Sequence, residues 1–452
     1  MKERLHMYDE TKGTVREIYI HVTPVSLPFA REALNLFGSA RFYFAREPTE
    51  EELKDKILHG FSDKPEIDRR FMEFMQRFCS LDFEYTQKLF CPKDDVAKLI
   101  ADSWEKEDSR ELKDVLEVYE FYKQNPLFRE FVEAYIEYCT SKNLGFNQAN
   151  VEAFQREIGT RGIVFPANGS ITSFSRDRFI PAIDSSGRKV IVQGKTLEGM
   201  LNLGPRSRVN ELEIVKQGIW VRNGFRTIPA SRTGLVYYDG GDIITTKYTA
   251  FVGPDVYLKN VSELGAPQTK MCLENLTGKR IVVVANHIDT WSHIDLYWIP
   301  LDERSGLLGD PSLCKKVLSP KGLWNEDYER SLRVLGPELD LVAEGLIREG
   351  LQVSRIPLIC LGSQITERHI KANYITRSYA NAVIDNQDVS VAPFGIDELD
   401  ELSRKPFEER GLRIKTVKSM GTIPNLLDKS KLGIMEYRNA GVRCSTCVLS
   451  RG

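Results

Sequence analysis

Apolar positions change their spacing twice along the chain, and each spacing predicts different elements. Residues 13–24, GTVREIYIHVTP, place the mostly β-branched set Val15, Ile18, Ile20 and Val22 between Gly13 and Pro24, which predicts a strand. From residue 49 the spacing turns helical. Thr49 and Glu52 form a capping box ahead of EELKDKILHGF. Helix-spaced apolar residues then recur in IDRRFMEFMQRF (67–78), DDVAKLIADSWEK (94–106), ELKDVLEVYEFYKQ (111–124) and LFREFVEAYIEYCTSK (127–142), with a stop near Gly145. The Phe and Tyr stripes of this block predict a buried helical core.

Beyond residue 160 short apolar runs take over: RGIVF, KVIV, GIWV, GLVYY, TAFVG, RIVVVAN, LYWIPL, LICL, NAVI and VSVAPF. Helix-like stretches such as ERSLRVLGPELDLVAEGLIREG (329–350) and DKSKLGI (428–434) alternate with them. Alternating strands and helices predict an α/β fold. The expected organisation is one α/β body, beginning with a segment at 13–48, interrupted by a helical insertion at 49–158, and completed by 159–452.

Composition narrows the function classes. The chain has 452 residues, with 62 Lys+Arg against 64 Asp+Glu and a formal net charge of −2. No basic field is available for a nucleic-acid partner, and none is expected. No run has the apolar length of a membrane span, and MKERLHMYDETKG lacks the apolar stretch of a secretory signal. The expectation is a cytoplasmic chain with no membrane partner. Its eight cysteines fall at 79, 91, 139, 272, 314, 360, 444 and 447 and are expected to be mostly reduced. Cys444 and Cys447 form a lone C-x-x-C without a second pair or histidines at ligand spacing, so neither metal nor cofactor is expected.

Four short segments end apolar runs and carry chemistry: Phe174-Ser-Arg-Asp177, Tyr238-Asp-Gly-Gly-Asp242, Asn286-His-Ile-Asp289 and Gly441-Val-Arg-Cys444. Together they supply a thiol, an imidazole and several carboxylates. A thiolate beside an imidazolium is a competent nucleophile. Carboxylates can hold a planar cation by bidentate hydrogen bonds. The set therefore suits attack on a guanidinium carbon. Singly each segment has an ordinary structural reading; Asp-Gly-Gly-Asp, for example, is a common turn.

The ordered combination F-x-R-D, D-G-G-D, H-I-D-T and a late V-R-C resembles the guanidino-modifying (pentein) superfamily, which includes deiminases and amidinotransferases. GTVREIYIHVTP, NHIDTWSHID and RSYANAVIDNQDVSVAPFG are similar to segments of arginine deiminases. The resemblance implies a five-fold pseudosymmetric α/β propeller of ββαβ units, here with an inserted helical domain. It also implies roles: Cys444 as nucleophile, His287 as general acid/base, and Asp239 as a carboxylate on the guanidinium that polarises the imidazole. Asp177 and Asp289 would grip the guanidinium, Phe174 would wall the pocket, and Asp242 would hold the Gly-Gly turn.

Departures from the family concern the far end of the substrate. Asn439 stands where free-arginine deiminases carry an arginine that clasps the α-carboxylate, and FVGPDVYLKN lacks another. Arg206 and Arg208 match a third such position, and Lys259 or Arg443 is an alternative. Losing these contacts would weaken binding of free arginine. The expected partner is a small-molecule guanidino substrate, with peptide-linked or cyclised arginine included, and a homo-oligomer is compatible. Deimination to a ureido product and ammonia is the leading expectation. C-S-T-C and Asp239 also resemble amidinotransferases, which would pass the amidino group to an amine. A non-catalytic binding protein on the same scaffold is the third alternative.

Overall fold

The computed structural model describes residues 4–59, 67, 69–80, 109–143, 145–169, 171–172, 175–176, 179–193, 210–211, 213–214, 216–235, 237–284, 293–361, 375–423 and 442–452. The described residues fall into two compact units. One consists of Glu47–Glu157 and is helical; the other takes in the chain on both sides of it and holds all the strands.

In the helical unit Thr49 and Glu52 cap each other as their spacing predicts. Thr49 N–H donates to Glu52 Oε2 at 2.8 Å, and Glu52 N–H to Thr49 Oγ1 at 3.4 Å. Helices Glu50–His59, Arg69–Ser80, Ser109–Gln124, Pro126–Asn143 and Gln148–Ile158 follow. Phe71, Phe74, Phe78, Phe128 and Phe131 form the buried core, with the Phe74 and Phe121 rings stacked at 4.2 Å. The expected helix at 94–106 lies outside the described residues.

Five small sheets build the other unit, and all repeat one motif. An antiparallel pair leads through a helix-bearing connection to a strand parallel to the second member of the pair. Phe179–Ile183 and Lys189–Gln193 are followed by Arg226–Ile228. Ile243–Thr245 and Thr249–Val252 are followed by Arg280–Val283. Trp298–Pro300 and Ser305–Asp310 are followed by Gln352–Leu361, after helices Pro311–Leu318 and Glu326–Arg348. Val383–Asp385 and Asp388–Val391 are followed by Arg413–Thr416. The remaining sheet joins the two ends of the chain. Its antiparallel pair is Cys447–Arg451 with Val15–Val22, and Arg41–Arg46 and Gly162–Pro166 then add in parallel. Thr14 and Gly452 exchange backbone hydrogen bonds at 3.0 Å.

Hydrophobic clusters bridge one sheet to the next. Tyr19, Tyr43, Phe179, Ile191, Trp220 and Cys447 pack in one, and Ile180, Val192, Ile243, Val252 and Leu273 in another. Two expected strands differ. GIWV forms the short helix Ile219–Arg222, whose Trp220 is fully buried, because a four-residue apolar run carries no helix-strand signal of its own. GLVYY is no strand among its described residues; Tyr238 makes only an isolated bridge. DKSKLGI lies outside the described residues. All seven cysteines among the described residues are free thiols. No described helix is long and apolar enough to cross a membrane.

Candidate active site

Each sheet contributes site residues from the same place, the few residues ahead of the first strand of its antiparallel pair. Cys444 precedes Cys447–Arg451, and Ser175 and Arg176 precede Phe179–Ile183. Asp239 to Asp242 precede Ile243–Thr245, His293 and Asp295 precede Trp298–Pro300, and Asn381 precedes Val383–Asp385.

Cys444 is buried, and three groups define its surroundings. Asn381 brackets it: the carboxamide Nδ2 lies 2.9 Å from Sγ, while the Cys444 N–H donates to Oδ1 at 3.1 Å. Asp295, wholly buried in the turn Ile294–Leu296, puts its two oxygens 3.6 and 3.8 Å from Sγ. The Arg176 N–H donates to the Cys444 carbonyl at 3.2 Å, and Ser175 Oγ donates to the Ser445 carbonyl at 2.7 Å. Ser175 and Arg176 are thus tied to the cysteine turn.

Beneath the thiol runs a buried ionic chain. Arg443 Nη1 donates to Asp295 at 2.7 Å, and its Nε donates to Glu10 at 3.0 Å. Arg176 Nη2 donates to the other Glu10 oxygen at 2.8 Å. Burial alone would raise the Glu10 carboxyl, but Arg176 and Arg443 together hold it down at about 2. Glu10 comes from the N-terminal segment and has no motif to mark it.

Asp239 faces the second ionisable pair. Its Oδ1 accepts the Gly241 N–H at 2.9 Å and lies 3.3 Å from His293 Nε2. The two glycines between Asp239 and Asp242 are explained by close approach. A Cβ on Gly241 would overlap the His293 ring, and one on Gly240 would overlap the Arg176 carbonyl. Asp242 does not face the thiol. Wholly buried, it accepts backbone N–H bonds from Val256 and Ile294, each at 3.1 Å. Burial pushes its carboxyl up to about 8.

Of the residues expected from sequence, Cys444, Asp239 and Arg443 are described and lie in this region. His287, Asp289, Asp177, Phe174, Arg206 and Arg208 lie outside the described residues. Arg443 is expected from sequence to contact substrate, but its guanidinium is engaged by Glu10, Asp295 and the Gly241 and Ile243 carbonyls. That is a supporting position under the thiol. Sequence reasoning misses His293, Asp295, Asn381 and Glu10. The signal for the first two is present: H-I-D occurs twice in NHIDTWSHID, and the second copy directly precedes the apolar run LYWIPL. Cys447 packs into the core beside Tyr19, with its thiol pushed up to about 11 by burial, as fits a structural cysteine.

Five repeated sheets, each entered by a segment that carries one of these residues, make a mixed α/β fold that is shared with solved deiminase structures. Among solved structures, a substrate-bound agmatine deiminase of C. jejuni, carrying serine in place of one cysteine, aligns at TM-score 0.51 and 14% identity, over 98% of this chain and 95% of that one. A provisionally named arginine deiminase from Porphyromonas gingivalis aligns at TM-score 0.51 and 13% identity, over 98% of each chain. No protein-family model matches the sequence, and no curated protein matches it.

Proposed function

We propose that this chain is a cytoplasmic deiminase that hydrolyses a guanidino group to a ureido group and ammonia through a covalent intermediate on Cys444, with no metal or cofactor. The observation that carries the reading is the juxtaposition of the Cys444 thiol with buried Asp295, beside an Asp239–His293 pair. Sulfur adds to the guanidinium carbon, and the C–N bond to the leaving amine breaks as His293 delivers a proton to it. Water, deprotonated by His293, then adds to the thiouronium carbon, and the C–S bond breaks to release the urea and the thiolate. Asp239 orients the imidazole. Asp295 pairs with guanidinium nitrogens, and Asp177 and Asp289 are assigned the same role. We assign the acid/base role to His293 rather than His287, because His293 lies against Asp239 and enters the first strand of its sheet, as Cys444, Arg176 and Asn381 do in theirs.

The five sheets fit a five-fold propeller interrupted by the helical insertion. The absence of family-type arginines at Asn439 and in FVGPDVYLKN, with Arg443 engaged internally, favours a guanidino substrate without a free α-carboxylate. Agmatine, named for solved neighbours of the same fold, is one such compound. The test is incubation with agmatine, arginine and peptidyl-arginine, alone and with candidate amines. A ureido product plus ammonia supports hydrolysis; a new guanidine made from the amine would mean transfer instead. Turnover by Cys444→Ala near the wild-type rate would overturn the assignment.

A further inference from the structure

Asp242 touches neither Cys444 nor the Asp239–His293 contact, yet its carboxylate joins the elements on which that contact depends. Helix Pro254–Leu264 begins at Gly253, an N-cap residue with no side chain to satisfy the first-turn amides. Asp242 does this from outside: its Oδ2 accepts the Val256 N–H, and its main-chain carbonyl accepts the Gly253 N–H at 2.9 Å. A Cβ on Gly253 would overlap this carboxylate, so the missing cap side chain is what makes room for Asp242. The other oxygen, Oδ1, accepts the N–H of Ile294, the peptide immediately after His293. That bond fixes the plane of the peptide leading into the turn Ile294–Leu296, which carries Asp295 to Cys444. The Asp242 N–H donates to the Asp239 carbonyl at 3.3 Å, closing the loop back to the carboxylate facing His293.

We propose that Asp242 is a positioning residue that anchors the His293–Asp295 turn to the N-terminus of helix Pro254–Leu264, so that the imidazole is held on Asp239 and the Asp295 carboxylate on Cys444. The inference rests on His293 being the acid/base, and its test separates the two. Alkylation is followed at pH 9, above the raised Asp242 carboxyl, where both of its oxygens accept; in Asp242→Asn one amide oxygen still accepts, but the new NH2 meets a backbone N–H, so one of the two anchors is lost. The readout is the rate at which a haloacetamidine alkylates Cys444, measured in wild type, D242N, H293A and the double variant, with folding checked by circular dichroism. D242N is expected to slow alkylation about tenfold in the wild-type background and clearly less in the H293A background, where only the hold on Asp295 is left to lose. For turnover, kcat should fall while KM changes little.

Equal slowing by D242N in both backgrounds, or no slowing in either, would overturn the positioning role. H293A alkylating and turning over like wild type would instead overturn the acid/base reading. Should D242N fail to fold, Asp242→Ser, smaller and also lacking the second acceptor, takes its place in the same cycle.

Discussion

Replacing Glu10 by Gln tests whether the ionic chain under the thiol holds the fold as the geometry requires. Among the described residues Glu10 is the carboxylate shared by Arg176 and Arg443, and its side chain is only 16% exposed, so water screens the chain weakly. Its carboxyl is held at about 2 against 4.5 for an ordinary one. At about 1.4 kcal/mol per tenfold change in proton affinity, the difference corresponds to roughly 3 kcal/mol of stability at pH 7. The sign follows from the depressed value. The contribution is complete above the unfolded carboxyl's range, and it is lost as pH falls from about 4.5 to about 2. E10Q keeps the shape and removes the charge, leaving two buried guanidinium groups sharing a neutral amide. For a chain of this size the melting temperature should fall by about 4 °C at pH 7. The assay is a calorimetric melt of both proteins from pH 7 to pH 4. The gap should narrow by about a quarter by pH 4, because only the wild type is losing a stabilising ionisation there. A gap under about 1 °C at pH 7, or one that does not narrow on acidification, would refute this account of Glu10.

Three further outcomes follow from single contacts. Gly241→Ala pushes a methyl into the His293 ring and should lower kcat at least about tenfold with the melting temperature little changed; an unchanged kcat would remove His293 from the site. A guanidino compound without an α-carboxylate, such as agmatine, should exceed arginine in kcat/KM by at least about tenfold, because Asn439 and FVGPDVYLKN hold no arginine to clasp the carboxylate. A preference for arginine would locate a clasp elsewhere. Thr49→Ala breaks the reciprocal cap of helix Glu50–His59 and should destabilise it by about 1 kcal/mol, read as faster amide exchange over Leu53 and its neighbours.

What is legible in the sequence depends on how local its cause is. The capping box at Thr49, the aromatic core of the helical unit and the strand at Val15–Val22 are set by neighbouring residues, and all three are readable. Glu10 is not. Its only distinction is that the sheet pairing Val15–Val22 with Cys447–Arg451 brings both chain ends together and lays Glu10 between Arg176 and Arg443. Asn381 is hidden for the same reason: its amide matters through a cysteine 63 residues further along the chain. GIWV fails differently, since its burial around Trp220 comes from Tyr19, Tyr43 and Phe165, which belong to distant strands.

The choice between the two histidines turns on topology. NHIDTWSHID offers two H-I-D triplets, and by composition they are equal. They are not equal in the repeat. In each of the five sheets the segment entering the first strand of the antiparallel pair carries a candidate site residue, Cys444, Arg176, Asp239, Asp295 and Asn381 in turn. His293 and Asp295 occupy that segment of the sheet opened by Trp298–Pro300, and their side chains meet Asp239 and the Cys444 thiol. His287 follows the strand Arg280–Val283 in sequence instead. His293→Ala should therefore lower turnover by about a hundredfold or more, the usual scale for removing a general acid/base. The bell-shaped pH dependence of kcat should lose the limb that its imidazole supplies. His287→Ala should stay within about threefold of wild type and keep both limbs. The reverse outcome, with H287A losing the limb and H293A keeping it, would return the acid/base role to the first triplet and leave His293 as a packing partner of Gly241.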